Sequence, residues 1–200
     1  WLFYGRAGTG KSTLVSTFPT PILFLDIKDD GDDSYADVEG VEVRDITTFE
    51  ELVETYWWLK QHPDAYATVV WDTITQAQQL LVEETVANKK LKSKKAAGDW
   101  GTLTKGEWGD IAAQLKTWVT NYRDLPMDVV FLAQDRVFNM DDEEGPEGEI
   151  DPEVGPRLSP SVKSHICAAV SIIGNTFVRT REVVKEVNGK KRRKEVADYC

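Results

Sequence analysis

The sequence predicts an α/β fold with a mostly parallel central sheet and helices on both faces, and two observations carry that prediction. The apolar runs Leu23-Phe24-Leu25, Val69-Val70-Trp71 and Val129-Val130-Phe131-Leu132 are continuous rather than alternating, as strands buried on both faces require. Between such runs lie stretches with apolar residues at helical spacing, and Pro19, Pro63 and Pro126 fall just beyond their ends. Strand, helix, strand is the repeating unit. With 200 residues, 41% hydrophobic content and no break in composition, residues 1–200 read as a single domain.

In chain order, Trp1 to Tyr4 reads as the first strand and Lys11 to Phe18 as a helix, followed by strands at Ile22 to Asp26 and Val41 to Arg44. Thr48 to Gln61 is expected to be helical, Thr68 to Asp72 a strand, and Ile74 to Leu91 and Lys105 to Tyr122 helices. Strands at Val129 to Gln134 and Ala168 to Ile173 complete the sheet. Three segments break the rhythm. Lys89 to Lys95 holds five lysines and leads into a Gly-rich stretch around Trp100 and Trp108, which reads as a loop after a basic helix end. Asp141 to Glu153 is acidic, with Gly145, Pro146, Gly148 and Pro152, the composition of a flexible excursion. Asn188-Gly189 between two strand-like runs marks a C-terminal β-hairpin that extends the sheet.

Composition narrows the function classes. A formal charge of −10 argues against a protein that coats nucleic acid with its whole surface, so any such contact is local. No apolar run approaches the ~20 residues of a bilayer helix, so no membrane partner is expected. Cys167 and Cys200 form no disulfide framework, and His62 and His165 are too isolated to complete a zinc site. A reducing cytoplasm fits that cysteine usage. The chain opens at Trp1, already inside a strand-like run, so a longer protein is expected around it.

Gly5-Arg6-Ala7-Gly8-Thr9-Gly10-Lys11-Ser12 matches the phosphate-loop pattern G-x-x-x-x-G-K-S at every fixed position, between a strand and a helix. The glycines let consecutive backbone N–H groups converge on phosphate oxygens, Lys11 neutralises the outer phosphates, and the Ser12 hydroxyl reaches magnesium. Gly5 to Thr13 would supply the cradle, with ATP and Mg²⁺ as the expected ligands. The second metal-holding group is expected at the end of another core strand, where Asp72 stands; an Asp at a strand end is otherwise a cap or turn residue.

Taken in order, the phosphate loop, Ile22 to Asp26, the Asp72 strand, Asp99-Trp100-Gly101 before a helix, and Phe131-Leu132-Ala133-Gln134 resemble the phage-encoded, RecA-like AAA-type P-loop ATPases. These include the Sak-type single-strand annealing recombinases. The resemblance runs from Trp1 to about Tyr199, and of its motifs the phosphate loop alone is specific by itself. It implies a RecA-like P-loop NTPase fold in which the strand ending at Gln134 lies between the phosphate-loop strand and the Asp72 strand. Gln134 would then sense the γ-phosphate and report to the segment Asp135 to Ser161, which touches single-stranded DNA in such proteins; the alternative is a Gln that satisfies a strand-end backbone group.

The resemblance also implies a homo-oligomer, ring or filament, with ATP near the subunit interface, and Arg179 or Arg181 reaching a neighbour's phosphates. One departure stands out. The water-activating Glu usual two residues beyond Asp26 is replaced by Lys28; Asp29 or Asp30 would serve if the loop is displaced, and otherwise Asp29 to Asp33 is a solvated acidic turn. Candidate DNA contacts are Lys89, Lys90, Lys92, Lys94, Lys95, Arg136, Arg157 and Lys190, Lys191, Arg192, Arg193 and Lys194, with Trp100 or Phe138 stacking on a base; equally, these are solvated helix and hairpin ends. The expected activity is Mg-assisted ATP hydrolysis in DNA recombination. A nucleotide-gated binding module without turnover and a small-molecule kinase are the alternatives.

Overall fold

The computed structural model describes residues 1–28, 38–92, 103–138, 153–187 and 190–200. In chain order they form β1 (Leu2–Tyr4), α1 (Lys11–Val15), β2 (Ile22–Ile27), β3 (Val41–Ile46), α2 (Phe49–Gln61), β4 (Thr68–Asp72), α3 (Ile74–Lys92), α4 (Lys105–Arg123), β5 (Asp128–Ala133), β6 (Asp135–Phe138), β7 (Glu153–Pro156), α5 (Pro160–Ala169), β8 (Ile173–Asn175), β9 (Val178–Val187) and β10 (Lys190–Tyr199). The central sheet has six strands in the order β3-β2-β4-β5-β1-β8, with every neighbouring pair parallel. The strand leading to Gln134 therefore lies between the phosphate-loop strand and the Asp72 strand, as the sequence resemblance implies.

The continuous apolar runs divide by parity, because successive side chains on a strand point to opposite faces. Leu23, Leu25, Ile27, Val69, Trp71, Val129 and Phe131 face the larger core, which also takes Leu52 and Leu59 of α2, Ile74, Ala77 and Leu81 of α3, Leu115 and Val119 of α4 and Val162 and Ile166 of α5. Ile22, Phe24, Val70, Val130 and Leu132 face the other way, onto Val15 of α1 with Trp1 and Phe18 beside it. Helices thus cover both faces, unevenly. Trp71 anchors the larger core, its ring 4.7 Å from Tyr122 edge-to-face and 5.4 Å from Phe131. The buried Tyr122 hydroxyl donates to Leu52 O at 2.7 Å, and burial pushes its pKa upward.

Local signals set the helix starts. At α2 the Thr48 hydroxyl accepts from Glu51 N while the Glu51 carboxylate accepts from Thr48 N, and Thr104 with Glu107 repeats the arrangement at α4. Backbone N–H groups at Thr47 and Thr48 hold the Glu51 carboxyl below its usual range. Beyond Asp72, α3 passes across the carboxyl ends of the strands. Its Thr75 accepts from Gln134 N, Gln78 from Ser159 N at 2.9 Å, Glu83 meets Lys28, and Glu84 accepts from Phe49 N at 2.8 Å.

Three expectations are corrected. Ala168 to Ile173 is not a strand: Pro160 opens α5, Val162 and Ile166 bury at helical spacing, and the sheet strand begins at Ile173. The C-terminal hairpin β9–β10 is a sheet of its own rather than an extension of the central one. The helix after the phosphate loop ends at Val15, and turn bonds from Thr17 N to Leu14 O and Phe18 N to Val15 O lead to Pro19. The excursion expected over Asp141 to Glu153 lies, except for Glu153, outside the described residues; on either side of it β6 and β7 run antiparallel, with Asp135 opposite Pro156. No helix among the described residues is long and apolar enough to cross a membrane.

Candidate active site

Parallel strands bring their carboxyl ends to one edge, so the residues after β1, β4 and β5 are neighbours in space. Gly5 follows β1, and its N–H donates to Ala133 O at 3.2 Å, which sets the phosphate loop beside Gln134. Thr176 packs against the loop from the other side. A Cβ on Gly5 would stand 2.3 Å from Thr176 O and 2.4 Å from its hydroxyl, so only glycine fits. Gly8 and Gly10 take φ of +75° and +84°, the left-handed region that turns the loop back toward α1.

Lys11 lies in this bend, its ammonium donating to Gly5 O at 2.9 Å and Arg6 O at 2.8 Å. Burial lowers its pKa, and the carboxylates of Asp72 and Asp135 oppose that shift. The Thr9 hydroxyl shares a 2.8 Å hydrogen bond with Thr176 and donates to Arg6 O, bracing the loop from within. The Ser12 hydroxyl donates to Asp72 Oδ2 at 3.2 Å, which unites the two residues expected to hold metal. Arg6, Ala7, Gly8 and Thr13 are exposed around the bend.

Gln134 stands at the end of β5 beside Gly5, with its N–H on Thr75 Oγ1 and its carbonyl accepting from Arg157 N at 2.7 Å. Its side-chain oxygen accepts from Arg157 Nη1 at 3.4 Å. Lys28 closes β2 with φ +57° and forms an ion pair with Glu83, whose carboxyl that ammonium holds below its usual range. Asp29 and Asp30 lie outside the described residues, as do Lys94, Lys95 and Trp100. Lys89 pairs with Glu107 at 3.1 Å. Arg181 pairs with Asp198 at 2.7 Å and Arg179 lies over the Phe177 ring, so both have partners within this chain. The hairpin run Lys190 to Lys194 lies in β10, and its side chains, like those of Lys90, Lys92 and Phe138, are outside what is described.

Sequence reasoning missed Asp135 and Thr176. Asp135 reaches Arg6 at 3.7 Å and places a second carboxylate near Lys11. Its adjacency to Gln134 was a usable signal. Thr176, 167 residues from Thr9, offered none.

The donor set fits a nucleotide with magnesium. Among the described residues no group of three or more His, Cys, Asp or Glu could hold a metal alone, whereas one hydroxyl and one carboxylate beside a phosphate cradle is the usual protein share of a magnesium site completed by phosphates and water.

A phosphate loop after one strand, an Asp ending a strand two places away and a polar residue ending the strand between them define a P-loop NTPase of RecA-like fold. The sequence matches the family described as AAA domain over residues 1–196, and the chain belongs to that family. Among solved structures it is similar to a KaiC-like protein from the hyperthermophilic archaeon Pyrococcus horikoshii OT3, at 13% identity and a TM-score of 0.42, over 98% of this chain and 76% of that one. At that score the fold assignment rests on the strand order itself. No curated protein sequence matches.

Proposed function

We propose that the chain binds ATP with magnesium, hydrolyses it, and couples the cycle to single-stranded DNA in phage-type recombination or annealing. The observation that carries the nucleotide part is the convergence of a glycine bend, the Lys11 ammonium and the Ser12–Asp72 pair on one edge of the sheet. Lys11 would balance charge on the outer phosphates, Gly5 to Thr13 would present N–H groups to them, and Ser12 with Asp72 would hold magnesium. Magnesium, when bound, supplies charge neutralisation at the phosphate oxygens. Gln134 would sense the terminal phosphate and pass its state to Arg157.

The DNA part is supported by the ordered motifs of the sequence and by Arg136 in β6 and Arg157 just past β7, whose N–H donates to Gln134 O. A homo-oligomer with ATP near the interface, in the host cytoplasm, completes the proposal.

A second reading, a nucleotide-gated module without turnover, is favoured by one observation. The position usual for the water-activating carboxylate holds Lys28, committed to Glu83. Phosphate release measured with and without single-stranded DNA separates the two. Mg-dependent release that rises severalfold with DNA is expected; ATP binding without release in either condition would leave only the gated module.

A further inference from the structure

Tyr199 exposes 68% of its surface, more than any other large apolar or aromatic side chain among the described residues. Its place is nonetheless fixed. It ends β10 opposite Val178 of β9, and reciprocal 2.9 Å backbone bonds between Phe177 and Cys200 close the base of that hairpin. The base is tied in turn to the phosphate loop, because Thr176 N donates to Tyr4 O at 2.8 Å and the Thr176 hydroxyl bonds that of Thr9. Tyr199 Cδ1 comes to 3.8 Å from where a Cβ on Gly10 would stand, one residue before Lys11. An aromatic ring is thus held bare at the side of the loop.

We propose that Tyr199 is the shelf on which the base of a bound nucleoside triphosphate stacks. The inference rests on the phosphate-loop reading, since that loop fixes where the base must emerge. Strand pairing anchors the backbone that carries the ring, so only its two side-chain torsions are left to order when a base covers it, and stacking uses the π-face that every base carries. The shelf therefore adds affinity for nucleosides without choosing between adenine and guanine.

The test compares ATP, GTP and inorganic triphosphate, each with magnesium, on the unaltered protein, Tyr199→Ala and Tyr199→Phe. Tyr199→Ala is expected to weaken ATP and GTP alike, roughly tenfold, to leave inorganic triphosphate unchanged, and to be rescued by Tyr199→Phe. Unchanged ATP affinity in Tyr199→Ala, or an equal change for all three ligands, would overturn the shelf and leave the phosphate loop standing. Failure of the unaltered protein to bind any of the three would overturn both.

Discussion

Alanine at Gly5 is expected to abolish nucleotide binding and to lower stability by about 3 kcal/mol, a fall in Tm on the order of 10 °C. The added methyl group would meet a backbone carbonyl, Thr176 O, at 2.3 Å and cannot swing away as the end of a long side chain would. Relief requires either the loop or the β8–β9 connection to move. Moving the loop carries off the two carbonyls, Gly5 O and Arg6 O, that hold Lys11. Gly8→Ala is the control: nothing lies within 4 Å of its Cβ, so its cost is the left-handed backbone alone, about 1–2 kcal/mol. Thermal unfolding and ATP titration of the two variants check this, and equal losses would show that Thr176 does not wedge the loop.

The second large effect is expected at Asp72. Its carboxylate accepts from the Ser12 hydroxyl, which sets the two groups expected to hold magnesium side by side. Even an outer partner of a metal ligand is typically worth about 10- to 100-fold in metal affinity, so Asp72→Ala should need at least that much more magnesium for turnover. The opposite sign is expected without metal. Asp72 is a negative charge acting on Lys11, and removing it leaves the ammonium more available to phosphate, so metal-free ATP binding should be equal or tighter. A variant that keeps full turnover at the original magnesium requirement would remove Asp72 from the site.

Much of this arrangement was legible in the sequence, for identifiable reasons. Val69-Val70-Trp71 and Val129 to Leu132 announce strands buried on both faces because no polar alternation interrupts them, and the phosphate loop fixes glycines where the backbone must bend left-handed. The segments that misled carry apolar residues at a spacing that two structures satisfy. Ala168 to Ile173 reads as a strand, yet Val162 and Ile166 pull the chain upstream into a helix that the Pro at position 160 initiates. Strand β7 is four residues with a Gly and a Pro, too short for periodicity to reveal, and its pairing with β6 depends on a partner across the acidic stretch.

Contacts made only by the tertiary fold left no local trace. Lys28 meets Glu83 across 55 positions because α3 crosses the strand ends, and Thr176 reaches Gly5 because β8 pairs with β1. Lys28 illustrates how the two levels combine. The sequence puts a lysine where the resemblance expects the carboxylate, and the structure adds that this lysine is paired with a carboxylate from another element.

The most direct measurement is isothermal calorimetry of ATP with magnesium, on the unaltered protein and on Lys11→Ala. Saturable heat with the first and none with the second is the expected result. The absence of heat with the unaltered protein, or equal heat with Lys11→Ala, would contradict the claim that this glycine bend and its lysine form a triphosphate site.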